Sequence, residues 1–305
     1  MRAASAQAPN AVVLIRPHHF RPNPQTAADN TFQSEADHDV SREAYDACTR
    51  VADALRAEGV RVHLFEDETD THPDSVFPNN WFSTHAGGRV AVYPMYAPNR
   101  RGERRADVIE MLKSEYRVQE VIDYSGLEPD DLFLEGTGAM VLDHVSRIAY
   151  AVRSHRCDPV LVERFCTVFG YEPVVFDAAD PDGVPIYHTN VMMCIGTDIA
   201  LIGLDSIVGD VRREQIAQRI RDTGRTLVPL TAEQVASFAG NAIELRDHNG
   251  ERILVMSQTA RRSLTEEQVR VISASCRILA LDVAPIELAG GSARCMIAGI
   301  HLDPR

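Results

Sequence analysis

Short apolar runs bounded by Gly, Asn or Asp alternate along this chain with stretches whose apolar residues recur at helical spacing. Residues 148–152 and 199–204 read as buried strands, whereas Val211, Ile216 and Ile220, or Val269, Ile272 and Ala274, mark one face of a helix. The order is the same each time: strand, strand, helix, strand. One copy covers 89–93, 102–115 and 118–122 behind the turn at Phe77–Ser83. A second runs through 132–142, 148–152, 159–169 and 172–176. A third takes 188–195, 199–204, 211–222 and 226–230, and a fourth 241–245, 252–256, 266–274 and 278–281. Residues 293–300 restart the pattern, and 11–15 with 60–65 supply its missing strands from the other end of the chain.

A polar residue stands at the matching place in each copy: Asn80, Glu135, His188, Asn241 and Cys295. Their separations are 55, 53, 53 and 54 residues. Five such units predict a single α/β domain over residues 1–305, a pseudo-fivefold propeller of ββαβ units closed across its termini. Five equivalent positions then converge on one axis.

Composition narrows the chemistry. A net charge of −13 gives no attraction for phosphate backbones, which excludes a nucleic-acid surface. Of 31 basic residues only Lys113 is a lysine, so a GxxxxGK phosphate loop is absent and Schiff-base chemistry would rest on one charged helical segment. The six cysteines form no CxxC pair and no zinc pattern, and no metal or organic cofactor is expected. His18-His19 and Asp37-His38-Asp39 are weak metal motifs. The apolar run at 11–15 is too short for a signal-peptide core and no stretch approaches a membrane span. The expectation is a cytoplasmic protein without nucleic-acid or membrane partners, its homo-oligomeric state left open.

Cys295 follows a Gly290-Gly291-Ser292 turn, which permits backbone conformations and close approach that side chains would block. It is the candidate nucleophile. Cys48, Cys166, Cys194 and Cys276 read as small buried apolar groups. A thiolate needs a base, and His188, at the start of an apolar run with Asn190 on its own face of a strand, is the candidate. Glu135, flanked by apolar residues and glycines, must be paired if charged; orienting His188 would satisfy it, and a bond to the Gly136–Gly138 backbone is the other reading.

At these residues the chain resembles the guanidino-group-modifying, or pentein, superfamily. The resemblance rests on Phe77-Pro78-Asn79-Asn80, Glu135-Gly136, His188-Thr189-Asn190 and the turn before Cys295. Residues 16–23, 30–33 and 76–85 are similar to its arginine-deiminase-related branch, the citrulline utilization hydrolases. The resemblance implies a Cys–His–Glu hydrolase on a five-bladed propeller, without metal or cofactor. Arginine-directed members carry aspartates where this chain has Asn80 and Asn190. Two amides offer donors and acceptors without net charge, which suits a neutral ureido group better than a guanidinium. Citrulline is therefore the expected substrate, cleaved to ornithine, carbon dioxide and ammonia through a covalent thioenzyme. Asn80, Asn190 and Asn241 are the candidate substrate-binding amides, and Arg16 and Arg147 the candidate carboxylate anchors. The alternatives are arginine deiminase, dimethylarginine hydrolase or amidinotransferase-like activity, or a non-enzymatic scaffold or ribosome-binding pentein.

Overall fold

The computed structural model describes residues 6–34, 36 and 38–305; Asp37 of the second metal motif and the first five residues lie outside them. Fifteen strands form five three-stranded sheets of one design. In each, the middle strand pairs antiparallel with the strand before it and parallel with the strand after it, and a helical crossover makes the parallel pairing possible. Phe82–His85, Arg89–Val92 and Glu120–Asp123 build one sheet. Met140–Asp143, Ile148–Val152 and Glu172–Phe176 build the next. Met193–Ile195, Ile199–Ile202 and Thr226–Pro229 follow, then Ile243–Arg246, Arg252–Ser257 and Arg277–Leu281. The last sheet joins the ends of the chain: Ala298–Gly299 lies antiparallel to Ala11–Pro17, which runs parallel to Arg61–Asp67.

Burial explains the arrangement. The middle strands are apolar on both faces, and Ile148–Val152 and Ile199–Ile202 are wholly buried, as expected for strands covered on each side. Third strands such as Glu172–Phe176 are partly exposed and form the outer rim. Successive first strands touch, as Met140–Asp143 touches Met193–Ile195 and Met193–Ile195 touches Ile243–Arg246. The termini complete the ring. The Arg246 amide and guanidinium donate to the carbonyls of Pro9 and Ala8, and Arg277 pairs with Glu58 on the neighbouring unit.

The crossover helices begin and end where local chemistry requires. In Pro159–Phe169 the Asp158 side chain caps the N-terminus, Pro159 takes the first turn, and Gly170 at φ 72° ends it. Thr231–Gln234 and Thr265–Gln268 are reciprocal capping boxes. Most strand limits match the sequence reading within two residues. The helix beginning near 102 starts instead at Ala106, after a 3-10 turn over Pro98–Glu103.

The principal correction concerns the polar positions. None of the five lies within a strand. Asn80 ends the 3-10 turn Pro78–Asn80, Glu135 precedes the helical turn Gly136–Ala139, and His188 precedes the turn Thr189–Val191. The strand expected from 188 begins only at Met193. Thr189 is buried away from the site, its hydroxyl donating to Ala139 O and accepting from Val152 N. Each unit thus lifts its polar residue over the mouth of its first strand.

Two neighbouring units are clasped by Arg225, which is bidentate to Asp143 at 2.5 and 2.9 Å and also donates to Gly196 O. Both side chains are buried, so removing one charge leaves the other uncompensated. Asp143→Asn should lower unfolding free energy by about 3 kcal/mol, read from the urea midpoint. An unchanged midpoint would show that this clasp carries no stability.

Candidate active site

Four of the five polar positions are hydrogen-bonded in two pairs, Asn241 with Cys295 and His188 with Glu135. Asn241 Nδ2 donates to Cys295 Sγ at 3.1 Å and Asn190 Nδ2 at 3.3 Å. Two further bonds hold the Asn241 side chain in place. Its Nδ2 also donates to Asn190 O, and its Oδ1 accepts the Arg294 amide at 3.0 Å. The amide orientation is therefore fixed, with N–H groups aimed at the sulfur. Two amide donors favour a thiolate over a thiol, because only the anion is a strong acceptor.

His188 Nε2 lies 2.9 Å from Glu135 Oε2. Glu135 has no accessible surface. Its other oxygen accepts the Tyr96 amide at 3.0 Å, while Arg100 and Arg156 stand 3.6 and 3.7 Å from Oε2. Burial alone would raise this carboxyl; Arg156, the His188 bond and Arg100 outweigh it and hold the group at about 2. Burial also lowers His188, against the bond and charge of Glu135, so the imidazole is neutral in the resting site and ready to accept a proton. Its Nδ1 faces Gly138, where a methyl group would lie 2.8 Å from that nitrogen and 2.3 Å from Asn80 Nδ2. The absence of a side chain at Gly138 thus leaves room for His188.

Cys295 and His188 line one narrow cavity of about 10 Å³. Asn80, Asp74, Arg100 and Arg156 line it too. Phe77 packs over Gly291, where any side chain would collide with its ring, and the Tyr187 hydroxyl donates to Gly290 O, a residue at φ 77°. The glycine turn is thus pinned from both sides. The segment carrying Thr26 and Asn30 crosses the cavity, with Asn30 Nδ2 donating to Ala289 O and Arg156 bound to Thr26 O and Asp29.

The remaining sequence candidates divide. Asn80 is in the cavity, yet its Oδ1 accepts from Arg100 and its Nδ2 donates to Asn79. Arg16 and Arg147 are not there. Arg16 pairs with Glu66 and stacks on Tyr45, and Arg147 binds the carbonyls of Gly170 and Phe169 over Tyr171. The buried arginines are Arg100 and Arg156, which the sequence reading missed. Their signal was positional: each lies in the loop after the middle strand of its unit, on the same side as the polar turns. Asp74 was missed as well; its Oδ2 accepts from Asn23, and its Oδ1 is buried without a partner. The other cysteines are buried, and burial pushes the thiols of Cys48, Cys166, Cys194 and Cys276 up to about 12. Among the described residues, no group of three His, Cys, Asp or Glu could hold a metal ion, and no helix is long and apolar enough to cross a membrane.

Two expectations follow. Glu135→Gln should lower turnover by roughly 10²-fold. Glu135 raises His188 through its bond and charge, so the acidic limb of kcat/KM should also move to lower pH in this variant. A limb that stays in place would separate Glu135 from His188. Gly138→Ala should impair activity while leaving the circular-dichroism melt close to wild type, because the intruding methyl meets the two site side chains.

Comparison with known proteins places this geometry. The family model for eukaryotic N,N-dimethylarginine dimethylhydrolase matches residues 16–302. The fold is similar to that of ArgZ, an arginine dihydrolase of the cyanobacterial ornithine–ammonia cycle, at 19% identity and a TM-score of 0.74 over 96% of this chain. This chain spans 41% of full-length ArgZ but 97% of its substrate-bound N-terminal domain, where identity is 18% and the TM-score 0.72. Dimethylarginine dimethylhydrolase of Pseudomonas aeruginosa in complex with citrulline aligns over 96% of this chain and 99% of its own, at 14% identity and a TM-score of 0.65. A search of curated proteins returned no match. Matched along nearly its whole length, the chain belongs to the N,N-dimethylarginine dimethylhydrolase family of the pentein, guanidino-group-modifying superfamily of hydrolases.

Proposed function

We propose that this hydrolase cleaves the ureido group of citrulline, with Cys295 as nucleophile, His188 as acid and base, and Glu135 as the group that orients His188. The observation that carries the reading is the set of neutral amides at the sulfur. Asn190 and Asn241 are the side chains bonded to Cys295 Sγ, and Asn80 lies in the same cavity. Glu135 is already engaged by His188, Tyr96 and two arginines. A guanidinium at the nucleophile would meet amides and the Arg100 cation, whereas a neutral urea matches amide donors and acceptors. Asn190 Oδ1, buried without a partner, is an acceptor for a ureido N–H.

The reaction begins with transfer of the Cys295 proton to neutral His188 and attack of sulfur on the ureido carbon. The resulting oxyanion collapses as protonated His188 gives its proton to the leaving nitrogen, releasing ornithine and leaving Cys295 carbamoylated. Neutral His188 then takes a proton from water, hydroxide adds to the thioester carbon, and the thiolate departs. The carbamate released decays to carbon dioxide and ammonia. Arg156 suits the substrate carboxylate in exchange for Asp29, and the unpartnered Asp74 oxygen suits the α-ammonium. The second reading is hydrolysis of a methylated arginine, the substrate named in the description of the matching family model.

Incubation with citrulline, arginine and dimethylarginine, followed by amine and ammonia analysis, separates the readings. Ornithine from citrulline is expected; citrulline formed from dimethylarginine, with citrulline itself inert, would establish the second. Cys295→Ala should abolish turnover and keep the fold. Asn190→Asp puts a carboxylate against the sulfur and the reacting group, so citrulline turnover should fall and arginine inhibition strengthen, each by ~10²-fold. If arginine binds the variant no better than wild type, Asn190 is not the charge filter.

A further inference from the structure

A second polar cavity reaches the residue before the nucleophile. Its volume is about 50 Å³, and its lining includes Gln7, His144, Cys194, Glu244, Arg294 and His301. Gln7 ties the start of the chain across it, donating to Leu142 O and Ile195 O and accepting the His144 amide. None of these residues serves the proposed reaction.

Arg294 is the unusual member. The residue is only partly buried, and the cavity is lined by its side chain. Its one hydrogen bond within the described residues runs from Nη1 to Ile297 O at 2.7 Å. The other buried arginines each have a carboxylate: Arg100 has Glu103, Arg156 has Asp29 and Arg225 has Asp143. Among the described residues Arg294 has none. Burial lowers its affinity for the proton, and the groups opposing this are the thiols of Cys295 and Cys194. A cation withdrawn from water without a counter-ion is unfavourable unless something anionic reaches it.

The rest of the lining adds donors without adding positive charge. His144 and His301 stack at 3.7 Å, and His144 Nδ1 is tied to Tyr171 Oη at 3.0 Å. Burial keeps His144 well below its ordinary range and, together with the nearby Arg294 charge, holds His301 at about 3. Glu244 is the one opposing charge. Its Oε2 is occupied by the Thr197 amide and hydroxyl, its Oε1 is buried without a partner, and it makes no ion pair with Arg294. The lining therefore contains one cation without a counter-ion, two neutral imidazoles and a carboxylate with one oxygen unpaired.

We infer that this cavity binds a small oxyanion of the carbonate or phosphate class on Arg294, and that its occupancy restrains Cys295. The coupling is short. Arg294 adjoins Cys295 in the chain, and its amide fixes Asn241, which donates to the Cys295 sulfur. An anion on the guanidinium cancels a positive charge near the thiolate and so reduces the reactive fraction. Because the lining of this cavity shares no residue with that of the Cys295–His188 cavity, the anion does not compete with substrate. The inference is independent of which substrate the enzyme takes.

The test uses the full chain with inorganic phosphate and, separately, bicarbonate, against chloride at matched ionic strength. Calorimetry reads binding, and mass spectrometry reads the rate of Cys295 alkylation by iodoacetamide at one pH. Saturable binding should accompany a slowing of alkylation by about fivefold, the scale of one charge removed at partly screened range. Phosphate or bicarbonate acting alone identifies the oxyanion. Arg294→Gln should abolish both effects, and Arg294→Lys should keep a weakened form of each. Glu244→Gln removes the opposing charge and should tighten the anion a fewfold, which keeps the test decisive if Arg294→Gln does not fold. The inference is overturned if neither anion binds, if the response survives in Arg294→Gln, if Glu244→Gln leaves affinity unchanged, or if phosphate competes with substrate, which would assign it to Arg156.

Discussion

The site depends on one buried carboxylate. Glu135 lies at the ring axis without solvent and stays ionised because a backbone amide, an imidazole and two guanidinium groups surround it. An isolated carboxylate there would take up a proton instead. The four partners come from three places: Tyr96 and Arg100 from the loop after Arg89–Val92, Arg156 from the loop after Ile148–Val152, and His188 from the next unit. The anion therefore draws three separate stretches of chain to one point. Arg156 is brought close by the backbone as well, since Glu135 N donates to Arg156 O. The same group sets the imidazole ring, so fold and chemistry share a single electrostatic requirement.

A second consequence concerns what remains for substrate. Arg100 is bidentate to Glu103 and donates to Asn80, while Arg156 is engaged by Asp29. The charges are mostly satisfied within the protein, and the groups left unsatisfied include Asn190 Oδ1 and Asp74 Oδ1. Both are acceptors. One lies beside the sulfur and the other at the arginine end of the cavity, so the site asks for N–H donors at both ends of its ligand. An α-amino acid with a nitrogenous side-chain terminus meets that demand. The lack of a free carboxylate beside the sulfur then separates a neutral terminus from a charged one.

The ring was legible in the sequence because its signal is redundant. Five strand–strand–helix–strand rhythms with five polar residues at nearly constant spacing constrain one another, and Pro159–Phe169 and Glu172–Phe176 could be placed to the residue. Cys295, His188 and Glu135 were legible for the same reason, each being the odd polar residue in an apolar, glycine-marked context. The turns were not. Hydrophobic alternation treats 188–195 as one strand, whereas Thr189 finds partners in Ala139 and Val152 from another unit, and those tertiary bonds favour the 3-10 turn. Arginines were hardest to read. In a chain with thirty of them, Arg16 and Arg147 look no different from Arg100 and Arg156 until the loops are folded. Only then do buried carboxylates distinguish structural cations from those at the surface.

The amides around Cys295 bear on how a thiol becomes a nucleophile when the substrate brings no charge. A cationic substrate can stabilise a thiolate by its own presence; a urea cannot. Here the sulfur already accepts from Asn190 and Asn241, and the amide of Asn241 is locked by the Arg294 backbone. Such fixed dipoles act before substrate arrives and need no reorganisation during attack, which is the condition under which preorganised polarity is most effective. The fourth unit thus contributes the residue that aims a donor at the sulfur, in place of a contact with substrate. Asn241, read among the binding residues on the strength of its spacing, donates to the Cys295 sulfur and accepts the Arg294 amide. Fivefold repetition brought all five polar residues to the axis, and the hydrogen bonds each makes there determine its part in the chemistry.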